Sequence, residues 1–201
     1  MKINFKIILF FISLFFIQRT FSQDTILLLN GKQIQCKAAY VNETSVVYHK
    51  LHKNEKIKQI NKEKVYSITD SLGKKKIIYD KDTTNGFYLT KEQMLIFIKG
   101  EQYAAKECKL FSSFVLSFAV GGLSAYVLKF YGVPMVALTP IVFGAIQTKS
   151  YESNPNKKLV NNEFFIEGYQ TKARYKKIKS SLIGGIIGFT SVAIIIDFTT
   201  K

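Results

Sequence analysis

The sequence predicts an α+β protein: a small antiparallel β-barrel of SH3-like size, followed by a helical membrane region of two to three spans. Three observations predict it. Short β-prone runs alternate with turn residues between positions 24 and 80. Three long uncharged segments follow residue 109. Charge is segregated, falling almost entirely between residues 24 and 109 and between 149 and 179.

The first element has the build of a signal peptide over residues 1–22. Lys2 and Lys6 supply a basic start, and Ile7 to Ile17 is an apolar run broken only by Ser13. Thr20-Phe21-Ser22 then places small residues at −3 and −1 of a cut before Gln23. Such a run is too short to span a bilayer comfortably. With no Cys beside the cut, a lipid anchor there is not expected.

Residues 23–90 are expected to form the exported β-domain. Thr25–Leu29 leads into Asn30-Gly31, a strong hairpin signal. In Gln33–Val41 the residues Ile34, Cys36, Ala38 and Tyr40 alternate with polar neighbours, the period of a strand with one covered face. Thr44–Leu51, Lys56–Ile60, Val65–Thr69 and Lys76–Tyr79 complete the set, at a spacing that suits a small closed barrel.

Residues 91–201 are expected to form the membrane region. Leu110 to Leu128, Phe130 to Thr148 and Ser180 to Ile196 carry no charge and are bounded by Lys109, Lys129, Lys149, Lys179 and Asp197. At about 1.5 Å per residue each spans roughly 25–29 Å, close to a bilayer's hydrocarbon thickness. Ser113, Ser117, Gly121 and Ala125 recur every four residues in the first, as do Ser180, Gly184 and Gly188 in the third. Small residues at this spacing allow helix backbones to approach closely. The second segment holds Pro134 and Pro140, so a kinked or re-entrant course is open to it. Three full spans would put the basic stretch 149–179 on the β-domain's side, against the positive-inside tendency; a re-entrant second segment would obey it.

An internal repeat links the halves of this region. Residues 97–113 match 165–181, with identities at Phe97/Phe165, Ile98/Ile166, Gly100/Gly168, Gln102/Gln170, Ala105/Ala173 and Lys109/Lys177. On a helix Ile98, Gln102 and Ala105 share one stripe, as do Ile166, Gln170 and Ala173, and both stripes are candidates for helix packing.

Asp24-Thr-Ile-Leu-Leu-Leu-Asn-Gly-Lys-Gln-Ile34, Val65-Tyr-Ser-Ile68 and the Gly-x-Gln-x-x-Ala unit resemble a family of uncharacterised exported membrane proteins of the Bacteroidota. The resemblance implies a short β-domain joined to Gly-rich membrane helices and no known activity. A common pattern of that family has Asp where Gln102 and Gln170 stand.

The net charge of +15 rests on Lys, with only Arg19 and Arg174 as arginines, so nucleic acid is not an expected partner. His49 and His52, three apart on a strand, point to opposite faces and make a poor metal pair. Cys36 and Cys108 are expected to be free thiols. No nucleophile elbow, phosphate loop or zinc spacing occurs, so neither catalysis nor a cofactor is expected. The reading that follows is a non-enzymatic interaction module of the cell envelope, held in the cell membrane with its β-domain on the periplasmic side. Its expected partners are membrane lipid and an envelope protein or a second copy. The alternative is a small-molecule or ion pathway built from the repeated helices, but the three segments lack the ionisable residue such pathways usually show.

Overall fold

The computed structural model describes residues 23–51, 57–84 and 86–199. The expected signal peptide, its cut after Ser22 and His52 lie outside them. The chain forms two compact units, one taking in residues up to Ile26 with Gln33–Ile78, the other Leu27–Lys32 with Tyr79 onward.

Six strands make the sheet: β1 (Asp24–Leu28), β2 (Gln33–Val41), β3 (Ser45–Lys50), β4 (Ile57–Asn61), β5 (Val65–Thr69) and β6 (Lys75–Ile77). Their order is β4-β3-β2-β1-β5-β6, with antiparallel ladders joining β2 to β3, β3 to β4 and β5 to β6. The sheet is open, which corrects the expected barrel. Closure would require β4 to pair with β6, and these two strands stand at opposite edges. β6 is only three residues long and wholly exposed, and Lys75 and Lys76 give it the charge that discourages edge pairing.

The core of this unit comes from Ile26, Cys36, Val46, Tyr48, Val65, Tyr66 and Ile68. Asp24 pins three strands together. Its Oδ2 accepts from Ala39 N at 2.9 Å, where a bulge interrupts the β2–β3 register, and its Oδ1 accepts from Ser71 N at 2.9 Å in the β5–β6 turn. Cys36 Sγ donates to the Asp24 carbonyl at 3.4 Å. Burial first, and then the Asp24 charge, pushes that thiol up to about 11, so it stays protonated and inert at neutral pH. Both cysteines are free and buried.

The second unit is helical. Helix α1 (Lys91–Glu107) opens with a capping box in which Gln93 N donates to Thr90 Oγ1 and Thr90 N to Gln93 Oε1. Helix α2 is Phe111–Leu128, α3 is Val133–Ala145, and α4 runs 37 residues over Glu163–Thr199. Helices α2 and α4 are long and apolar enough to cross a membrane, whereas α3 has 13 residues. Pro140 lies inside α3 and cannot donate to Val136 O; the Thr139 hydroxyl does so instead, at 2.9 Å.

Candidate helix-packing site

Contacts along α4 order the other three helices. Phe97 and Gly100 lie against Gly168 and Phe165, Lys176 reaches Ala104, and Phe114, Phe118 and Gly122 meet Gly184, Gly188 and Val192. Taken turn by turn, 97–100 meets 165–168, Ala104 meets Lys176 and 114–122 meets 184–192, so α1 and then α2 run parallel to α4. The contacts of α3 descend: Val136 meets Gly185, Gly144 meets Ile178, and Lys177 Nζ donates to Ile146 O at 2.8 Å. It follows α2 in the chain and returns antiparallel to α4.

Glycine makes the α1–α4 crossing possible. A Cβ on Gly100 would overlap the carbonyl oxygen of Phe165, and one on Gly168 would overlap that of Phe97. The contact is reciprocal, each glycine meeting the phenylalanine three residues before the other. Ile98, Phe165 and Tyr169 are fully buried beside this crossing, and Ala104, Cys108, Tyr169 and Ala173 form a cluster covered by Tyr103, Leu110 and Tyr151. Where α1 stops, Lys176 Nζ donates to the carbonyls of Ala104, Ala105 and Cys108 at 2.7–3.3 Å, satisfying acceptors a helix end leaves open.

The α2–α4 contact uses the same device without large side chains. Gly121 abuts Gly185 O, Gly184 abuts Phe114 O and Gly188 abuts Phe118 O, each too close for a Cβ. Ser113, Ser117, Ala125 and Ser181 are buried in the same contact, and Ser180 Oγ reaches Leu110 O at 3.4 Å. The bulky residues turn outward instead: Leu123 is 64% exposed, Ile141 67% and Ile195 60%. Exposed aromatics stand at both ends of this apolar surface, Phe111 and Tyr175 at one, Tyr126, Tyr131 and Phe198 at the other.

The residues singled out in the sequence therefore separate into groups. Ser113, Ser117, Gly121, Ala125, Gly184 and Gly188 lie in the α2–α4 contact, with Ser180 at its entrance and half-buried. Ala173 is buried in the α1–α4 contact, and Ile98 is fully buried on the neighbouring stripe of α1. Ala105 is exposed; Ala104, one position earlier, packs there. Ile166 is half-buried. The two glutamines turn away from each other, and each holds a backbone loop of this unit. Gln102 Nε2 donates to Gly31 O at 3.0 Å in the Asn30-Gly31 turn, where Gly31 has φ +75. Gln170 Nε2 donates to Thr148 O at 2.6 Å and its Oε1 accepts from Thr148 N at 3.2 Å.

Several participants were not singled out as packing residues, among them Ala104, Tyr169, Gly185, Gly100 and Gly168, with the buried Glu101 beside Gly100 on α1. Gly100 and Gly168 stand among the six identities of the repeat, and the shared Gly-x-Gln was the signal. Glu101 gave none. It is 7% exposed, its Oε2 has no hydrogen-bond partner among the described residues, and burial raises its carboxyl above the usual range, opposed by the Lys172 charge. Among the described residues no group of three His, Cys, Asp or Glu side chains is placed to hold a metal. His49 Nε2 is 3.3 Å from Tyr40 Oη. An apolar cavity of about 230 Å³ between α3 and α4 is lined by Val133, Val136, Ala137, Leu182, Ile186 and Phe189, with Thr190. No protein family, curated protein or solved structure matches the chain.

Proposed function

We propose that this chain is a membrane-anchored, non-enzymatic interaction module of the cell envelope, with its β-domain on the periplasmic side. The observation that carries the reading is the arrangement of the α2–α4 contact: Gly, Ser and Ala inside, Leu and Ile outside. In water this order would leave the large apolar side chains unburied and the helices without a drive to associate. In lipid it is the expected order, because close backbone packing replaces the hydrophobic effect between helices. Aromatic residues at both ends suit the two membrane–water interfaces.

The binding surface in this reading is the sheet. Its β4 edge has an unpaired ladder and exposes Ile57, and an extended segment of an envelope protein or a second copy can add there. The parallel course of α2 and α4, with α3 returning antiparallel to α4, supports three crossings rather than a re-entrant second segment. The test is twofold. Washed at alkaline pH with carbonate, membranes should retain the protein; release into the supernatant would overturn the anchor. In spheroplasts residues 24–90 should be open to protease, on a chain that begins at Gln23. Protection of that segment on a chain still carrying Met1 would overturn the export.

A further inference from the structure

The antiparallel return of α3 brings together charges that lie far apart in the sequence. Ser180 Oγ reaches Leu110 O, which brings the chain at Lys109 and at Lys179 to one level. Lys177 Nζ bonds Ile146 O, and Gln170 clasps Thr148 from both sides, which sets Lys149 at the level of Gln170, about one helical turn before Arg174. Residues 170–180 of α4 rise about 15 Å. Within that depth all three apolar segments meet their basic flanks at the same end. The opposite end of the apolar surface carries Lys129 and Asp197.

The seven cations at the first end do different things, and Lys172 Nζ donates to Asn30 O at 3.1 Å. Lys176 and Lys177 are committed to backbone carbonyls of α1 and of the α3 exit. Lys109, Lys149, Arg174 and Lys179 are exposed, and among the described residues none of them is in an ion pair. Glu107 and Glu152 are the acids nearest in sequence, and both are exposed without an ion pair as well. Phe111 and Tyr175, exposed at the same level, are side chains suited to the headgroup layer.

We infer that Lys109, Lys149, Arg174 and Lys179 form a belt that binds the phosphates of anionic phospholipid headgroups around the helical unit. The inference rests on the membrane reading and goes beyond it, because apolar helices alone have no preference among headgroups. Each basic side chain near an anionic surface adds to the attraction, so four acting together make a preference that is easily measured. A headgroup rather than a free anion suits the site, since the belt is an open rim at the edge of an apolar surface.

The experiment uses the full chain in nanodiscs of phosphatidylcholine containing a minority of phosphatidylglycerol, with the lipid retained around the protein measured by mass spectrometry. The parent should enrich phosphatidylglycerol, and a variant with Lys109→Gln, Lys149→Gln, Arg174→Gln and Lys179→Gln should lose at least about tenfold of that enrichment. A control with Lys58→Gln, Lys64→Gln, Lys74→Gln and Lys129→Gln removes the same charge elsewhere and should keep the enrichment. Equal loss in both variants would mean attraction to net charge, and would overturn the belt. Enrichment unchanged in the first variant would overturn it also. Displacement of phosphatidylglycerol by inorganic phosphate at matched ionic strength would assign the site to a free anion and overturn the lipid. Retention through a carbonate wash is read in parallel. A parent that is retained but shows no enrichment overturns this inference alone, whereas a parent that is released overturns the membrane reading with it.

Discussion

Helix α4 makes two contacts along its length, and they solve one problem in opposite ways. Against α1 and against α2 alike, glycine lets two backbones meet where a Cβ would collide with a carbonyl oxygen. Beside the first crossing the large residues point in, and Ile98, Phe165 and Tyr169 are fully buried. Beside the second they point out, and the contact itself holds Gly, Ser and Ala. The first is built like the core of a water-soluble protein, where removing apolar surface from water stabilises the pair. Under the membrane reading proposed above, the second has no such term to draw on, and close packing supplies the affinity. On that reading one helix passes from one solvent to another, and the change shows in which side of it carries the bulk.

The sharpest way to break this comparison is to place a charge on the outer surface. Leu123→Lys should cost about 2.5–3.5 kcal/mol of insertion free energy if that surface meets lipid. The same change at Leu72, which is 92% exposed in the β5–β6 turn, should cost almost nothing. The readout is the fraction of each variant that resists alkaline extraction. Equal behaviour of the two would make the outer surface an aqueous one.

Glycine itself is the next test. Replacing an ordinary exposed helical glycine by alanine stabilises by about 1 kcal/mol. At Gly168 and Gly188 the sign should reverse, because the new methyl meets backbone, with a net loss of about 1–3 kcal/mol in thermal unfolding of the detergent-purified protein. Gly122→Ala is the control, since its Cβ would meet Val192 Cγ2 at 3.1 Å, a side chain that can give way, and Gly188 O at an ordinary contact distance of 3.7 Å. Gly100→Ala and Gly168→Ala combined should cost less than their sum, because either one already opens the shared crossing. Strict additivity would mean that the two glycines act independently.

Glu101 sharpens the aqueous half of the comparison. Burial raises its carboxyl above the unfolded value, so the folded chain holds that proton more tightly. Stability should therefore fall as pH rises from the ordinary carboxylate range through the raised value. Glu101→Gln removes this dependence. The variant should be the more stable at neutral pH, by up to about 1–3 kcal/mol, with its advantage vanishing toward about pH 4. An advantage independent of pH would show that charge burial is not the cause.

The smallest effect concerns the repeat. Ala105→Leu should change unfolding by less than about 0.5 kcal/mol, because that position is exposed, whereas Ala104→Leu must fit into a fully buried site. A large loss at position 105 would place the α1–α4 contact on the stripe of Ile98, Gln102 and Ala105 instead.

That stripe shows where sequence reading reached its limit. Helical period alone defines which residues share a face, but neighbouring stripes on one helix differ by a single position, and only the partner decides which is covered. Here α4 covers Gly100, Ala104 and Cys108, and the two glutamines are left to clasp the Asn30-Gly31 turn and Thr148. No local signal marks an acceptor 71 residues away. The burial of Glu101 was hidden for the same reason, since it comes from elements distant in the chain.

Local sequence was enough for the strand runs, the hairpin turn at Asn30-Gly31, three uncharged segments and the ladders of small residues; two of those segments lie in helices long enough to cross a membrane, and the second forms only the 13-residue α3. These are properties of consecutive residues: periodicity, steric freedom at φ and side-chain volume. Only the tertiary structure decided that the sheet stays open, because closure depends on whether strands at the two ends of the order meet. It alone decided that α2 and α4 run parallel with α3 returning antiparallel to α4, which brings Lys109, Lys149 and Lys179 to one end. The physical reason is common to both. Edge pairing and helix direction are set by contacts between segments remote in sequence, and such contacts leave no pattern within either segment alone.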